Sequence, residues 1–245
     1  MKIPEIAGTI DRRILINFTV DKEVLSNFLP APFRPKIIGD KGLAGICLIR
    51  LKNIRPARFP EIAGISSENA AHRIAVEWNE NGKTRQGVYI PRRDTNSLLN
   101  HWSGGRLFPG VHHMANFDVE EKDGAYKINI TSNDINIISI SAKLANDLNT
   151  GSIFENLATA SEFYKNGTIG FSPNKSNYDG IELKTINWHV DPLFVENVKS
   201  AFFEDETVFP KGSVTFDNAL LMRDLKHTWK NYANCPDAQT DQSLV

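Results

Sequence analysis

Two adjacent histidines, His112 and His113, are the residues of this chain whose types and spacing most directly suggest chemistry. They follow a glycine-rich turn that contains Arg106, and they precede an apolar run typical of a β-strand. Adjacent side chains of a strand point to opposite faces, so the two imidazoles cannot bind one metal ion unless the strand bulges. No HxH or HExxH pattern supplies a third ligand nearby. The sequence therefore predicts no metal site here.

One of the two imidazoles is expected to point inward, and the sequence leaves open which one. A hydrogen-bonded core histidine is one interpretation. The other is a cavity-facing group that donates a hydrogen bond or acts as an acid or base, since histidine titrates near neutral pH. For that second case we name His113 and His112 as candidate catalytic residues.

The stretch AAHRIAVEW, residues 70–78, combines charged and small residues on one strand face. Alternation places Arg73 and Glu77 on that face with two alanines, and bulky apolar residues on the other. Either the charged face is exposed to solvent, or it lines a polar cavity in which the alanines leave room for a ligand. In a cavity, Arg73 could hold a carboxylate in bidentate fashion and Glu77 could take part in catalysis.

Three further arginines are candidates for binding a substrate. Arg50 interrupts an apolar run, so it must be paired or face a cavity. Arg92 follows a predicted strand. Either this segment is a solvated turn in which Asp94 caps the next helix, or one of its arginines points back into a cavity at the strand end and binds an anion. The candidate substrate-binding residues are Arg73, Arg50, Arg106 and Arg92.

Strand signals dominate the elements that must position these residues. The predicted strands are 12–20, 43–51, 72–79, 86–90, 112–121, 125–133, 181–190 and 212–222. Helices are predicted at 21–30, 96–105 and 152–167, the last with a capping box of Ser152 and Glu155, while 194–203 fits either structure. The pattern indicates a β-rich α+β fold of antiparallel strands around a core, with a few helices outside. We expect one domain over residues 1–235 and a flexible tail over 236–245.

Charge and cysteine content narrow the expected partners. The 28 basic residues nearly balance the 29 acidic ones, so no charge excess favours a nucleic acid or an anionic membrane. No apolar run is long enough for a membrane span or a signal peptide, and we expect a cytoplasmic protein. Cys47 and Cys235 form no metal-binding or disulfide pattern, and Cys47 is interpreted as a small core hydrophobe. Phosphate and dinucleotide motifs are absent from the sequence, so no cofactor is predicted.

Several stretches together resemble the DUF2071 (YqjF-like) branch of the acetoacetate decarboxylase-like superfamily. They are RRILINFTVDKEVLSNFLPAPFRP, GICLIRLKNIRP, HRIAVEW, GVYIPRRDTNS, GGRLFPGVHHMANF, INWHVDPLFV and FPKGSVTFDNALLMR. These stretches follow one another in the order that the branch shows. The resemblance implies a curved, mostly antiparallel sheet that forms a barrel-like cone around an internal pocket, with a few outer helices.

The resemblance also implies a difference in chemistry. Acetoacetate decarboxylases carry a G-R-E-x-x-G-x-P-K pattern whose lysine forms a Schiff base with the substrate ketone. On this chain the pattern aligns His113 with that lysine and His112 with the preceding proline. No lysine occurs between Lys83 and Lys122, and an imidazole cannot form an imine with a ketone. We therefore predict that the protein is not a Schiff-base decarboxylase.

Three functions remain open at this point. The first is an enzyme without imine chemistry, a lyase, hydrolase or isomerase acting on a small carboxylate or carbonyl compound. The second is a non-catalytic module that binds or senses a ligand in the same pocket. The third is a structural protein whose cavity is filled by its own side chains. A small-molecule ligand is the expected partner, without nucleic acid or membrane, and a homo-oligomer is possible.

Overall fold

The computed structural model describes residues 5–60, 64–102, 110–174 and 178–232. The helices in these ranges are α1 (Lys22–Phe28), α2 (Leu98–Trp102) and α3 (Leu157–Lys165). The strands are β1 (Ile6–Asp21), β2 (Arg34–Pro35), β3 (Ile37–Ile38), β4 (Lys41–Pro56), β5 (Ile65–Glu80), β6 (Lys83–Thr95), β7 (His112–Met114), β8 (Asn116–Lys122), β9 (Ala125–Ser132), β10 (Ile135–Leu144), β11 (Ile169–Pro173), β12 (Tyr178–Thr185), β13 (Asp191–Ser200) and β14 (Val214–Asn231).

Seven strands form a ring in the order β1, β4, β5, β6, β11, β12 and β14, because β14 pairs back with β1. Neighbours in the ring are antiparallel except β6 and β11, which are parallel. Another part of β14 pairs with β13, and the sheet continues from there through β10, β9 and β8. The predicted β-rich, mostly antiparallel and cone-like sheet is confirmed, although the mixed sheet is not a strict barrel.

Both faces of the ring wall are buried. On one face, Ile14 and Ile46 pack in a cluster with Ile128 of the extending sheet. On the other face, Leu15 and Cys47 pack in a second cluster that includes residues of α3. Neighbouring residues of one strand thus enter different clusters, as strand alternation requires. Burial on both faces explains why the sequence of β4 is nearly continuously apolar rather than alternating.

The predicted capping box of Ser152 and Glu155 is wrong. The helix α3 begins after Asn156, whose side chain accepts a hydrogen bond from the amide of Thr159 at 3.0 Å. Ser152 instead donates its hydroxyl to Oδ2 of the buried Asp217 at 2.9 Å. A tertiary contact therefore holds the segment before the helix out of helical conformation.

Other boundaries differ in detail from the sequence prediction. The predicted strand 112–121 is divided into β7 and β8, the strand predicted at 181–190 ends at Thr185, and the ambiguous segment 194–203 contains the end of β13. The strands β10 and β11 were not predicted. None of the helices in the described ranges is long and apolar enough to cross a membrane. The predicted tail, 236–245, lies outside the described residues.

Candidate functional site

A cavity of about 130 Å³ lies inside the seven-stranded ring. Every strand of the ring contributes to its wall, because alternate residues of each strand point inward. On β4, for example, Cys47, Ile49 and Leu51 line the cavity. Much of the wall is apolar, and its larger apolar side chains are Ile49, Leu51, Val88, Ile90, Ile181, Leu183 and Trp229.

Three arginines, Arg13 of β1, Arg73 of β5 and Arg93 of β6, line this cavity. Within the described part of the chain, none of them forms an ion pair with a carboxylate. The Nε of Arg13 donates a hydrogen bond to Sγ of Cys47 at 3.3 Å, and the Nε of Arg93 donates to Oγ of Ser172 at 2.9 Å. Guanidinium groups stay protonated at neutral pH. The cavity wall therefore carries three positive charges without an ion-pair partner among the described side chains, and Arg93 has only the longer-range attraction of Asp179.

Arg73 is held in place by a chain of amides. The residue is only 5% exposed, and burial lowers its pKa. Its Nη2 donates to Oδ1 of Asn17, and its guanidinium lies 5.0 Å from the ring centroid of Tyr164. Asn17 donates in turn to Asn218 at 2.7 Å, and Asn218 donates to the carboxylate of Asp217. These contacts fix the arginine without giving it a direct counter-ion.

A β-bulge decides which of two adjacent arginines faces the cavity. Opposite Arg73 of β5, the strand β6 has two residues, Ile90 and Pro91. The extra residue reverses the alternation that follows, so Arg93 points into the cavity and Arg92 does not line it. Of the two adjacent arginines in this segment, Arg93 therefore lines the cavity and Arg92 does not.

Arg92 has a different role in the structure. It forms an ion pair with Asp94, in which Nη2 and Oδ1 are 2.9 Å apart. Asp94 is completely buried and lines the cavity, so this pair compensates a carboxylate that would otherwise repel an anion there. The alternative in which Asp94 lies in a solvated turn as a helix cap is wrong.

His112 is the histidine of the pair that faces the cavity. The strand β7 runs parallel to the end of β6 and places His112 opposite Arg93. Burial, and then the charge of Arg93, lower the pKa of His112 to about 3, so its imidazole is neutral at pH 7. His113 is exposed and does not line this cavity. Among the described residues, no three His, Cys, Asp or Glu side chains are grouped as metal ligands.

Arg50 lies outside the cavity in a cluster of ion pairs. Its Nη2 is 2.9 Å from Oε1 of Glu121, and its Nε pairs with Glu68. Both carboxylates also pair with Arg12, whose side chain is almost fully buried. The arginine that interrupts the apolar run is therefore paired, which was one of the two possibilities the sequence left open.

Glu77 also lies outside the cavity, and its Oε2 is 3.5 Å from Nη2 of Arg34 on β2. Arg106 lies outside the described residues.

Reasoning from the sequence missed Arg13 and Arg93 as cavity residues. The alternation of β1 could have indicated Arg13, whereas the bulge that aims Arg93 depends on strand pairing.

A smaller cavity of about 30 Å³ shares Arg13 and Arg73 with the larger one. Lys36 lines this smaller cavity, and its ammonium lies 4.2 Å from the ring centroid of Phe163. The same ammonium donates a hydrogen bond to Gln86, and burial lowers the pKa of Lys36. The amine of Lys36 therefore lies next to the larger, arginine-lined cavity without lining it.

A family model covers most of the residues that build this site. The model of DUF2071, described as an uncharacterized conserved protein, matches residues 9–207. The chain belongs to the DUF2071 family. The matched segment includes Arg13, Cys47, Arg73, Arg93 and His112, so these cavity residues lie within the family's domain. No curated protein matches this DUF2071 chain.

The fold of this DUF2071 protein is similar to that of acetoacetate decarboxylase-like proteins. Acetoacetate decarboxylase from Legionella pneumophila is 10% identical, with a TM-score of 0.64 over 94% of this chain and 88% of that one. An acetoacetate decarboxylase-like enzyme from Sphingomonas wittichii is 11% identical, with a TM-score of 0.60 over 95% and 94%. The enduracididine biosynthesis enzyme MppR, in complex with pyruvate, is 8% identical, with a TM-score of 0.60 over 94% and 89%. The resemblance stated from the sequence is confirmed at the level of the fold.

Proposed function

We propose that this DUF2071 protein binds a small carboxylate in the cavity of its seven-stranded ring. The observation that carries the proposal is the convergence of Arg13, Arg73 and Arg93 on one cavity without ion pairs to described carboxylates. Charged groups removed from water are costly unless they are paired. A ligand carboxylate would supply the missing negative charge, and a guanidinium can bind it through two parallel hydrogen bonds.

The size and lining of the cavity limit the ligand. Its volume of about 130 Å³ is close to that of a cavity of about 150 Å³ that accommodates benzene. A ligand of about six to eight non-hydrogen atoms is therefore expected. The apolar wall favours a small apolar body next to the carboxylate. Pyruvate, which is bound in the MppR structure, is a carboxylate of this size and a suitable first probe.

The cavity supports binding more strongly than catalysis. In the free protein His112 has a pKa of about 3, so its imidazole is a weak base at neutral pH. A general base works best when its pKa lies near the working pH. A neutral imidazole beside Arg93 is better suited to hydrogen-bonding the ligand. An enzyme that uses His112 for proton transfer is the second candidate, favoured by its position opposite Arg93.

A screen of acids against their amides tests the proposal. Pyruvate, butyrate and valerate should raise the melting temperature, whereas pyruvamide, butyramide and valeramide should not, because the amides carry no charge. A ligand at 100 times its dissociation constant adds about 2.7 kcal/mol, which corresponds to about 5–10 °C for a chain of this length. Equal shifts with acids and amides, or no shift with any acid, would contradict the proposal.

A second experiment concerns imine chemistry. Incubation with acetoacetate or pyruvate followed by borohydride should give no increase in protein mass, since the larger cavity has no lysine among its described lining residues. An acetoacetate decarboxylase serves as the positive control. If an adduct did form, Lys36 would be the expected site, because its amine lines the adjoining cavity. A reduced adduct on Lys36 would show that an amine between β2 and β3 supports imine formation and would contradict the prediction.

A further inference from the structure

Cys47 places a thiol on the wall of the arginine-lined cavity. It is 7% exposed, and β4 directs it to the same face as Ile49. The Nε of Arg13 donates a hydrogen bond to its sulfur at 3.3 Å. The thiol therefore lies in the cavity wall within hydrogen-bond distance of a guanidinium group. The sequence-based interpretation of Cys47 as a core hydrophobe accounts for its burial but not for this contact.

Arg73 provides independent evidence for a ligand at the same place. The residue is buried, it lines the cavity, and its Nε has no hydrogen-bond partner within the described ranges. Burial lowers the pKa of Arg73 and of Arg93. The sulfur and the guanidinium groups therefore face a shared cavity.

We infer that Cys47 is a covalent site for small carboxylates that carry an electrophilic carbon next to the carboxylate, an inference that rests on the proposed function. The arginines hold the carboxylate, and the sulfur attacks the adjacent carbon. With an α-halo acid, a sulfur–carbon bond forms and the carbon–halogen bond breaks. The bonding electron pair leaves with the halide, and the thiol proton passes to solvent.

The test compares two alkylating reagents that differ in charge. The full-length Cys235→Ser variant, in which Cys47 is the remaining cysteine, is treated with iodoacetate or with iodoacetamide, and the mass increase is followed over time. Glutathione gives the ratio of the two rates for a free thiol. For Cys47 the ratio of iodoacetate to iodoacetamide should exceed that reference by about tenfold, because a positively charged cleft concentrates an anion. Butyrate, which cannot alkylate, should slow the reaction with iodoacetate.

The outcomes separate the inference from the proposed function. If neither reagent labels Cys47 although a carboxylate raises the melting temperature, the inference is overturned and carboxylate binding stands. If iodoacetamide labels Cys47 and iodoacetate does not, both are overturned, because the cavity excludes anions. A rate ratio equal to that of glutathione, without protection by butyrate, indicates labelling through unfolding and overturns the inference. The Cys47→Ala, Cys235→Ser double variant should take up no label.

Discussion

Lowering the pH from 7 to 5 is expected to remove about 6 kcal/mol from the free energy of unfolding, about 2 kcal/mol for each of three buried histidines. Burial lowers the pKa of His72 and His112 to about 3 and that of His227 to about 4. In the unfolded chain these groups bind protons below about pH 6.5, whereas in the folded protein they remain neutral. Their stabilising contribution is therefore complete above pH 6.5 and is lost progressively as the pH falls towards 3.

This loss is comparable to the whole stability of a typical domain, about 5–15 kcal/mol, so partial unfolding near pH 5 is expected. Urea denaturation at pH 7 and at pH 5 measures the difference directly. His72→Gln should reduce it by about a third, since the amide can replace the contact of His72 with Ser200 and does not titrate. His189→Gln is the matched control, because His189 is 79% exposed. Equal pH dependence in the wild type and His72→Gln would contradict this explanation.

Replacing Arg73 by methionine is expected to weaken carboxylate binding by about 100-fold, the equivalent of about 3 kcal/mol. The variant removes the buried guanidinium that donates to Asn17 and stacks on Tyr164. The unliganded protein should remain folded. Removing an uncompensated buried charge is favourable and offsets the loss of the donor to the buried Oδ1 of Asn17, which costs about 1–3 kcal/mol. Isothermal calorimetry with the most stabilising acid of the screen measures the change in affinity.

Two variants serve as controls for Arg73→Met. Arg50→Met removes an arginine from the ion-pair cluster outside the cavity, so the affinity for the acid should be unchanged. Arg73→Lys keeps the charge but loses the planar fork that binds a carboxylate in bidentate fashion, and an intermediate affinity is expected. If Arg50→Met weakened binding as much as Arg73→Met, the effect would be one of overall charge or stability rather than of the cavity.

The fold was predictable because its signals are local. The alternating run of β1 and the apolar run of β4 identify strands without reference to any neighbouring strand. The curvature of the sheet was predicted from the resemblance of several motifs to the family. The full extent of these strands was not predictable. Each runs to 16 residues and includes charged segments, such as Lys52 with Asp11, that are paired across neighbouring strands.

The candidate site was predictable only in part. Alternation in β5 placed Arg73 correctly on a face with small alanines, and the resemblance directed attention to His112 and its neighbour. Arg93 faces the cavity instead of Arg92 because of a bulge opposite Arg73. The residue pattern of β6 alone does not reveal that bulge. Tertiary pairing also decides that Arg50 is compensated while Arg73 is not, although both interrupt apolar runs. Which arginine is left without a carboxylate depends on contacts between residues that are distant in sequence.

A crystal structure of the protein with the panel acid that gives the largest thermal shift tests the central claim most directly. The account predicts that the ligand occupies the cavity inside the seven-stranded ring. Its carboxylate oxygens should lie about 3 Å from guanidinium nitrogens of Arg73 or Arg93, and its apolar part should face Leu51 and Trp229. A ligand bound elsewhere on the surface, with only water beside these arginines, would contradict the account.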